Sequence, residues 1–306
     1  MDGKVDYKVR GRFAPSPTGP LHTGSLVAAV GSWLMAKSKG GDWLLRIDDL
    51  DTPRCRPEFE DDILKTLELF GLYWDGAISR QSSNSEKYAE AFECLRNTGA
   101  VYPCGCSRAE IAQVASAPHP GEEVRYPGTC RAGLNRGRAP RAWRLCVAGQ
   151  KAVFDDVRHG SLARWLDDSG DFVVKRVEGF FAYQLAVVVD DHLIGVNQVV
   201  RGDDLLESTP RQVLIHELLG WPLPEYCHLP LVTGPDGGKL SKRDNLVSVS
   251  EGLSDANRRD LMRWCLGFLG LVLPDSMHGA DCRELLDWGT AVFSQELLPK
   301  PLELAD

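Results

Sequence analysis

Two stretches of this chain carry residue types suited to handling phosphate. The first is Arg12-Phe13-Ala14-Pro15-Ser16-Pro17-Thr18-Gly19-Pro20-Leu21-His22-Thr23-Gly24-Ser25, a proline-stiffened loop that delivers a histidine and a glycine to a helix start. Free N–H groups and the helix dipole favour an anion there, Gly24 leaves room for a flat base, and His22 can donate to phosphate oxygens gaining charge. The second is Gly237-Gly238-Lys239-Leu240-Ser241-Lys242-Arg243, a glycine lead-in to three cations and a hydroxyl. Lysine ammoniums on a movable loop can follow a triphosphate as its charge redistributes. Singly, each has a plainer reading, a capping histidine and a solvated basic turn. In this order, on a chain patterned for a parallel sheet, the pair is specific.

A third group is thiol-based. Cys104-Gly105-Cys106 and Cys130 supply three of the four ligands of a structural zinc site. By chemistry alone His119 is the better fourth ligand; unligated buried thiols are the alternative. Beside this group, Arg125, Arg131, Arg136, Arg138, Arg141 and Arg144 crowd one segment with no acid between them. Such a strip serves either as a grip on an RNA backbone or as a solvated basic loop. His228 lies either near a nucleotide or, more plainly, packed in the core.

These groups need elements to position them. Arg10 to Ala14 reads as a short strand, Pro15 to Pro20 as irregular, and Leu26, Val30, Trp33 and Leu34 recur at helical spacing. Trp43 to Ile47 reads as a buried strand ending in acids. Strand, helix, strand at this spacing predicts a right-handed crossover and a parallel sheet, with a binding crevice beyond the carboxyl ends of its strands. Pro57 to Leu69 and Glu86 to Leu95 read as helices. From Val101 to Arg176 the pattern changes to cysteines, prolines and short strands (142–147, 172–176), which resembles an insertion. Helix and strand then alternate through Tyr183 to Val189, Gln198 to Arg201 and Pro210 to Leu219, and the tail beyond Leu253 is mainly helical.

Composition sets outer bounds. The chain has 306 residues, 43% hydrophobic and 25% charged, which excludes disorder, collagen and coiled coil. Its net charge of −8 argues against a general nucleic-acid coat, so any RNA contact must be local. No apolar run reaches bilayer length, and the polar amino terminus lacks a cleavable leader pattern, so we expect a cytoplasmic protein with no membrane partner. Nine cysteines, an odd number, favour reduced thiols or a metal over a disulfide framework.

On these residues the chain resembles the class I aminoacyl-tRNA synthetases, His22 to Ser25 standing for their HIGH signature and Lys239 to Arg243 for their KMSKS signature. Gly11 to Leu26, Leu45-Arg46-Ile47-Asp48-Asp49-Leu50-Asp51, Phe180 to Ala186 and Val199 to Leu205 look like the glutamyl branch over most of residues 9 to 245. Within it, the chain is most similar to the truncated glutamyl-Q tRNA(Asp) synthetases. Only 63 residues follow Arg243, too few for the large anticodon-binding region of full glutamyl-tRNA synthetases. The resemblance implies an α/β fold: a Rossmann-like parallel-sheet domain in two halves (1–100 and 181–245), an inserted zinc-bearing α+β subdomain (101–180) and a short helical module (246–306). It implies tRNA-independent activation of L-glutamate by ATP, with Mg2+ on the nucleotide, and transfer of glutamate to queuosine in the anticodon loop of tRNA(Asp) by a monomer. The rivals are a reduced synthetase charging a tRNA 3′ end with glutamate or glutamine, and a non-catalytic RNA- or amino-acid-binding paralogue.

The resemblance also implies roles. His22 and Lys242 would be catalytic, with Thr23, Gly24, Ser25, Lys239 and Ser241 completing the ATP site. Arg12 and Arg201 would meet the carboxylates of glutamate, Asp48 the ammonium and Tyr183 a polar atom, over a floor of Phe13, Ala14, Pro15 and Ser16. Which arginine takes which carboxylate stays open. The family's cysteine pattern, Cys-x-Cys followed by Tyr-x-x-x-Cys, selects Tyr126 over His119 as the fourth metal ligand beside Cys104, Cys106 and Cys130. Most of the family has glutamate where Asp48 stands and the glutaminyl branch has aspartate, which makes glutamine the competing substrate. The bland alternative is that Arg46, Asp48 and Asp51 form a surface ion network.

Overall fold

The computed structural model describes residues 8–301 apart from 52, 108, 112–124, 135, 177, 233–247 and 251. His119, Lys239, Ser241 and Lys242 lie outside the described residues. The first strand, β1 (Arg10–Phe13), is followed by the proline loop and by β2 (Leu21–His22), which runs directly into helix α1 (Thr23–Lys37). β3 (Asp42–Ile47) then pairs parallel to β1, completing the expected crossover. α2 (Pro57–Leu69) starts on a proline, which has no N–H to leave unsatisfied there, and carries Glu58 and Glu60 in its first turn, where the helix dipole favours acids.

Next come β4 (Ser79–Arg80), α3 (Ser85–Asn97), β5 (Val101–Cys104), β6 (Ala142–Leu145), β7 (Lys151–Asp156), β8 (Gly160–Trp165) and β9 (Phe172–Arg176). The chain returns through α4 (Tyr183–Leu193), β10 (Gln198–Gly202), α5 (Thr209–Leu219), β11 (Glu225–Leu229) and β12 (Ser248–Val249), and ends on α6 (Asp255–Phe268) and α7 (Cys282–Val292).

The large sheet has the order β4-β3-β1-β10-β11-β7-β8 and is parallel except at the β7–β8 hairpin. β5, β6 and β9 form a separate antiparallel sheet, as the short strands of that region led us to expect. The β7–β8 hairpin, in sequence inside the same stretch, instead extends the edge of the large sheet through Asp156 and Tyr226. The fold is therefore α/β with a mostly parallel sheet.

Alternation along the buried strands sends successive side chains to opposite faces. Val200 and Cys227 join the core under α1, α6 and α7, whereas Val199 and Tyr226 join the core under α4 and α5. Covered by the sheet on one side and the C-terminal helices on the other, α1 is buried along most of its length. It comes so close to β11 that a Cβ on Gly31 would stand 2.4 Å from Leu229 Cδ1. No helix among the described residues is long and apolar enough to cross a membrane.

Candidate active site

A cavity of about 520 Å³ opens at the carboxyl ends of β1, β3, β10 and β11, where the strand order reverses between β1 and β10. Parallel sheets bind ligands at such a switch point, because the connections on either side leave in opposite directions. Its wall includes Arg12, Phe13, Ala14, Pro15, Ser16, His22, Gly24, Ser25, Asp48, Tyr183 and Arg201. Apart from Thr23, which is buried outside the wall, every described residue expected to bind glutamate or ATP is thus gathered in one place.

His22 caps α1: its Nδ1 accepts the backbone N–H of Ser25 at 3.2 Å. A neutral imidazole that accepts at Nδ1 carries its proton on Nε2, the donor form that a phosphate oxygen requires. A Cβ on Gly24 would lie 3.2 Å from two atoms of this ring, so glycine keeps the helix entrance clear of it. His22 also pairs across β2 and β12 with Ser248. Val232 lines the cavity and Ser248 lies beside His22, so the residues flanking 233–247 both stand at the site.

Behind the wall lies a chain of buried charges. Arg12 Nε donates to Asp191 Oδ1 at 3.1 Å, Arg46 Nη1 meets the same oxygen at 2.5 Å, and Arg46 Nε donates to Asp48 Oδ1 at 2.6 Å. Arg46 is fully buried and Asp48 nearly so, which overturns the reading of Arg46, Asp48 and Asp51 as a surface network; of the three only Asp51, paired with Arg54, is partly exposed. Asp190, 4.0 Å from Arg46, is saturated instead by Tyr88 Oη, Gln81 Nε2 and Asn84 Nδ2. Burial raises the pKa of Asp48 and Asp190 despite Arg46. Burial pushes Asp191 upward too, but two guanidiniums, Arg12 and Arg46, more than offset it and hold this carboxyl below its usual range.

Arg201 has a different setting. It is buried at the end of β10, donating from Nε to His228 Nε2 (3.1 Å) and from Nη2 to Thr209 Oγ1 (2.8 Å). Its Nη1 is buried without a hydrogen-bond partner, and among the described residues it makes no ion pair. Burial lowers its pKa, the direction expected of a cation awaiting an anion. His228 is fully buried, as the plainer reading of it expected, and bonds to Arg201, which lines the cavity.

Sequence reasoning missed Asp190, Asp191, Thr209 and Asp156. Two adjacent acids at the end of the apolar run Leu185 to Val189 were a signal, since buried carboxylates need cations.

At the antiparallel sheet, the Sγ atoms of Cys104, Cys106 and Cys130 lie within 4.8 Å of one another, with Cys106 and Cys130 3.6 Å apart. Sulfurs about 2.3 Å from a tetrahedral zinc stand roughly 3.8 Å from each other, so the cluster fits that ion. Tyr126 Oη lies 3.3 Å from the Cys104 sulfur and 3.6 Å from that of Cys106, which brings a fourth donor atom into the group. Three of the six arginines in the strip have partners within the protein. Arg131 grips Asp171 with two bonds, Arg138 pairs with Glu110, and Arg144 donates to Cys104 Sγ and to the Asp171 carbonyl while lying 3.9 Å over the Tyr126 ring.

A family profile described as tRNA synthetases class I (E and Q), catalytic domain, matches residues 8–272. The chain is 53% identical over 295 residues to a glutamyl-Q tRNA(Asp) synthetase of Geobacter sulfurreducens, covering 95% of this chain and 94% of that one. It is 48% identical over 292 residues to a protein of the same name from Dechloromonas aromatica, covering 95% and 96%. Among solved structures it is similar to a glutamate tRNA ligase from Elizabethkingia meningosepticum in complex with its amino acid, at 28% identity and a TM-score of 0.79. That match covers 96% of this chain and 66% of the ligase.

Proposed function

The chain belongs to the class I tRNA synthetases for glutamate and glutamine, in the branch of the glutamyl-Q tRNA(Asp) synthetases, and from that premise we propose that it is a ligase that activates L-glutamate with ATP and transfers it to queuosine in the anticodon loop of tRNA(Asp). One observation carries the reading to the residues: a single cavity at the sheet's switch point holds a histidine at a helix start, a buried arginine whose Nη1 has no hydrogen-bond partner, and an acid.

In the first step, a carboxylate oxygen of glutamate attacks the α-phosphorus of ATP; a new O–P bond forms as the bond to pyrophosphate breaks. Such catalysis is in-line placement plus stabilisation of charge on phosphate oxygens. His22 Nε2–H supports the α-phosphate, and Thr23, Gly24 and Ser25 bring the start of α1 to the nucleotide. Lys239, Ser241 and Lys242 follow the departing pyrophosphate. Mg2+ bound to the triphosphate supplies the remaining positive charge. In the second step a hydroxyl of the queuosine ring attacks the acyl carbon, AMP leaves, and the hydroxyl proton is released.

Glutamate brings two carboxylates and one ammonium. Arg201 takes one carboxylate, because among the described residues no acid forms an ion pair with it. Arg12 contributes a second, partly neutralised guanidinium. Asp48 faces the ammonium from a position braced by Arg46, and Tyr183 closes the rim over the floor of Phe13 to Ser16. A pocket with two arginines favours a carboxylate over the neutral amide of glutamine. Cys104, Cys106, Cys130 and Tyr126 would hold one structural zinc, which would fasten the inserted segment.

The experiment is to incubate the protein with labelled glutamate, ATP and total tRNA from cells with and without the queuosine pathway. Label should enter only tRNA that carries the modified base and should survive trimming of the 3′ end. Label that depends on the terminal ribose instead would make this a reduced synthetase.

A further inference from the structure

We propose that Asp156 and His228 are a positioning pair that fixes the plane of Arg201 and leaves its charge uncancelled for a substrate carboxylate; this rests on the glutamate-activation reading above. Asp156 Oδ2 accepts from His228 Nδ1 at 2.7 Å and from the His228 backbone N–H at 3.0 Å. Its Oδ1 accepts the backbone N–H groups of Arg158 and His159, at 2.9 and 3.0 Å. A carboxylate held by four donors is an acceptor only, so the imidazole proton sits on Nδ1 and Nε2 presents a lone pair. That lone pair faces Arg201 Nε at 3.1 Å and Thr209 Oγ1 at 3.0 Å.

The consequence is electrostatic. Two neutral acceptors, the imidazole and the Thr209 hydroxyl, orient the Arg201 guanidinium without neutralising it. Arg12, lining the same cavity, is tied to Asp191 and has much of its charge already spent. The other imidazole tautomer would aim Nε2–H at the Arg201 Nε–H, donor against donor, and turn the guanidinium out of its plane. Burial holds His228 below its ordinary pKa range, which keeps the ring neutral. Asp156 lies on β7 and His228 on β11, so the register of these two strands sets the aim of an arginine on a third, β10. Neither His228 nor Asp156 is in the cavity wall, and both act through Arg201.

Two measurements test this on the full-length protein. In 15N-histidine NMR of the unmodified chain, with the resonance identified from its loss in His228→Gln, His228 should be the neutral Nδ1–H tautomer; an Nε2–H tautomer or an imidazolium at neutral pH would overturn the proposal. In glutamate-dependent exchange of pyrophosphate into ATP, His228→Leu should raise the glutamate KM about 10- to 100-fold, the cost of a lost hydrogen bond to a charged group, with the ATP KM within about twofold. His228→Gln, whose amide oxygen can stand in for Nε2, should recover most of that loss. An unchanged glutamate KM in His228→Leu, or equal losses in both KM values, also overturns it. If His228→Leu does not fold, the NMR result decides. Absence of glutamate-dependent exchange in the unmodified protein would sink the functional reading instead, with the tautomer still measured on its own.

Discussion

Arg12 and Arg201 enter the same cavity with different amounts of charge to spare, and this difference predicts different variants. Arg201→Ala removes a cation that makes no ion pair among the described residues, so the glutamate KM should rise about 100-fold, the size expected for losing one partner of a buried charge pair. Initial-rate exchange assays at varied glutamate check it; an unchanged KM would remove Arg201 from the substrate site. Lys242→Ala should behave differently, lowering kcat for activation by about 100-fold while glutamate binding holds, because the role proposed for its ammonium is to follow charge that develops only as pyrophosphate leaves. Single-turnover kinetics with glutamate binding measured in parallel separates the two effects.

At the scale of elements, Asp171 ties the segment that carries Cys130 to the antiparallel sheet. It sits just before β9, receives two bonds from Arg131 beside Cys130, one from Tyr102 Oη on β5 and one from the backbone N–H of Val147. Burial raises its pKa, but Arg131 and Tyr102 more than compensate and hold it below the usual 3.8. A carboxyl depressed in the folded state stabilises the fold above the unfolded pKa and loses that contribution as pH falls through the folded value. Asp171→Asn should therefore be less stable at neutral pH, with the gap to the parent closing below about pH 4; urea melts across pH 7 to 3 measure the gap. A gap independent of pH would assign the loss to packing.

Metal removal acts on the same element. Chelation, or Cys130→Ser, should release about one zinc per chain and open residues near 104–131 to protease while the large sheet holds, because structural zinc contributes folding free energy only where it is ligated. Metal analysis and limited proteolysis are the readouts, and full metal retention in Cys130→Ser would exclude that thiol as a ligand.

Across the whole molecule, α6 and α7 share one apolar cluster with α1 and the sheet, through Met262, Cys265, Leu266, Leu285 and Leu286. The catalytic sheet and the C-terminal helices should then unfold together. Leu266→Ala leaves a hole against the core and should cost about 2–5 kcal/mol, moving a single transition to lower urea without splitting it. Circular dichroism and tryptophan fluorescence should report the same midpoint; two separate transitions would mean that the helices melt as an independent unit.

The family, the proline loop that leads into α1 and the cysteine set were legible in the sequence because each depends on neighbours close along the chain: a rigid loop before a helix, a pair of thiols one residue apart, a strand of buried apolar residues. Pro57–Leu69 was readable to the residue for the same reason, a proline start and a regular apolar stripe. Charge partnership was not. Arg12 meets Asp191 across 179 positions and His228 meets Asp156 across 72, and no local pattern announces which guanidinium a distant carboxylate will neutralise. The sequence by itself determined which groups the chain possesses and which elements carry them. Only the fold, which brings Asp191 of α4 to Arg12 of β1 and Arg46 of β3 and pairs β7 with β11, decided which of those charges are already cancelled and which remain for a substrate, because Coulomb energy in a buried site depends on distances that the fold alone sets.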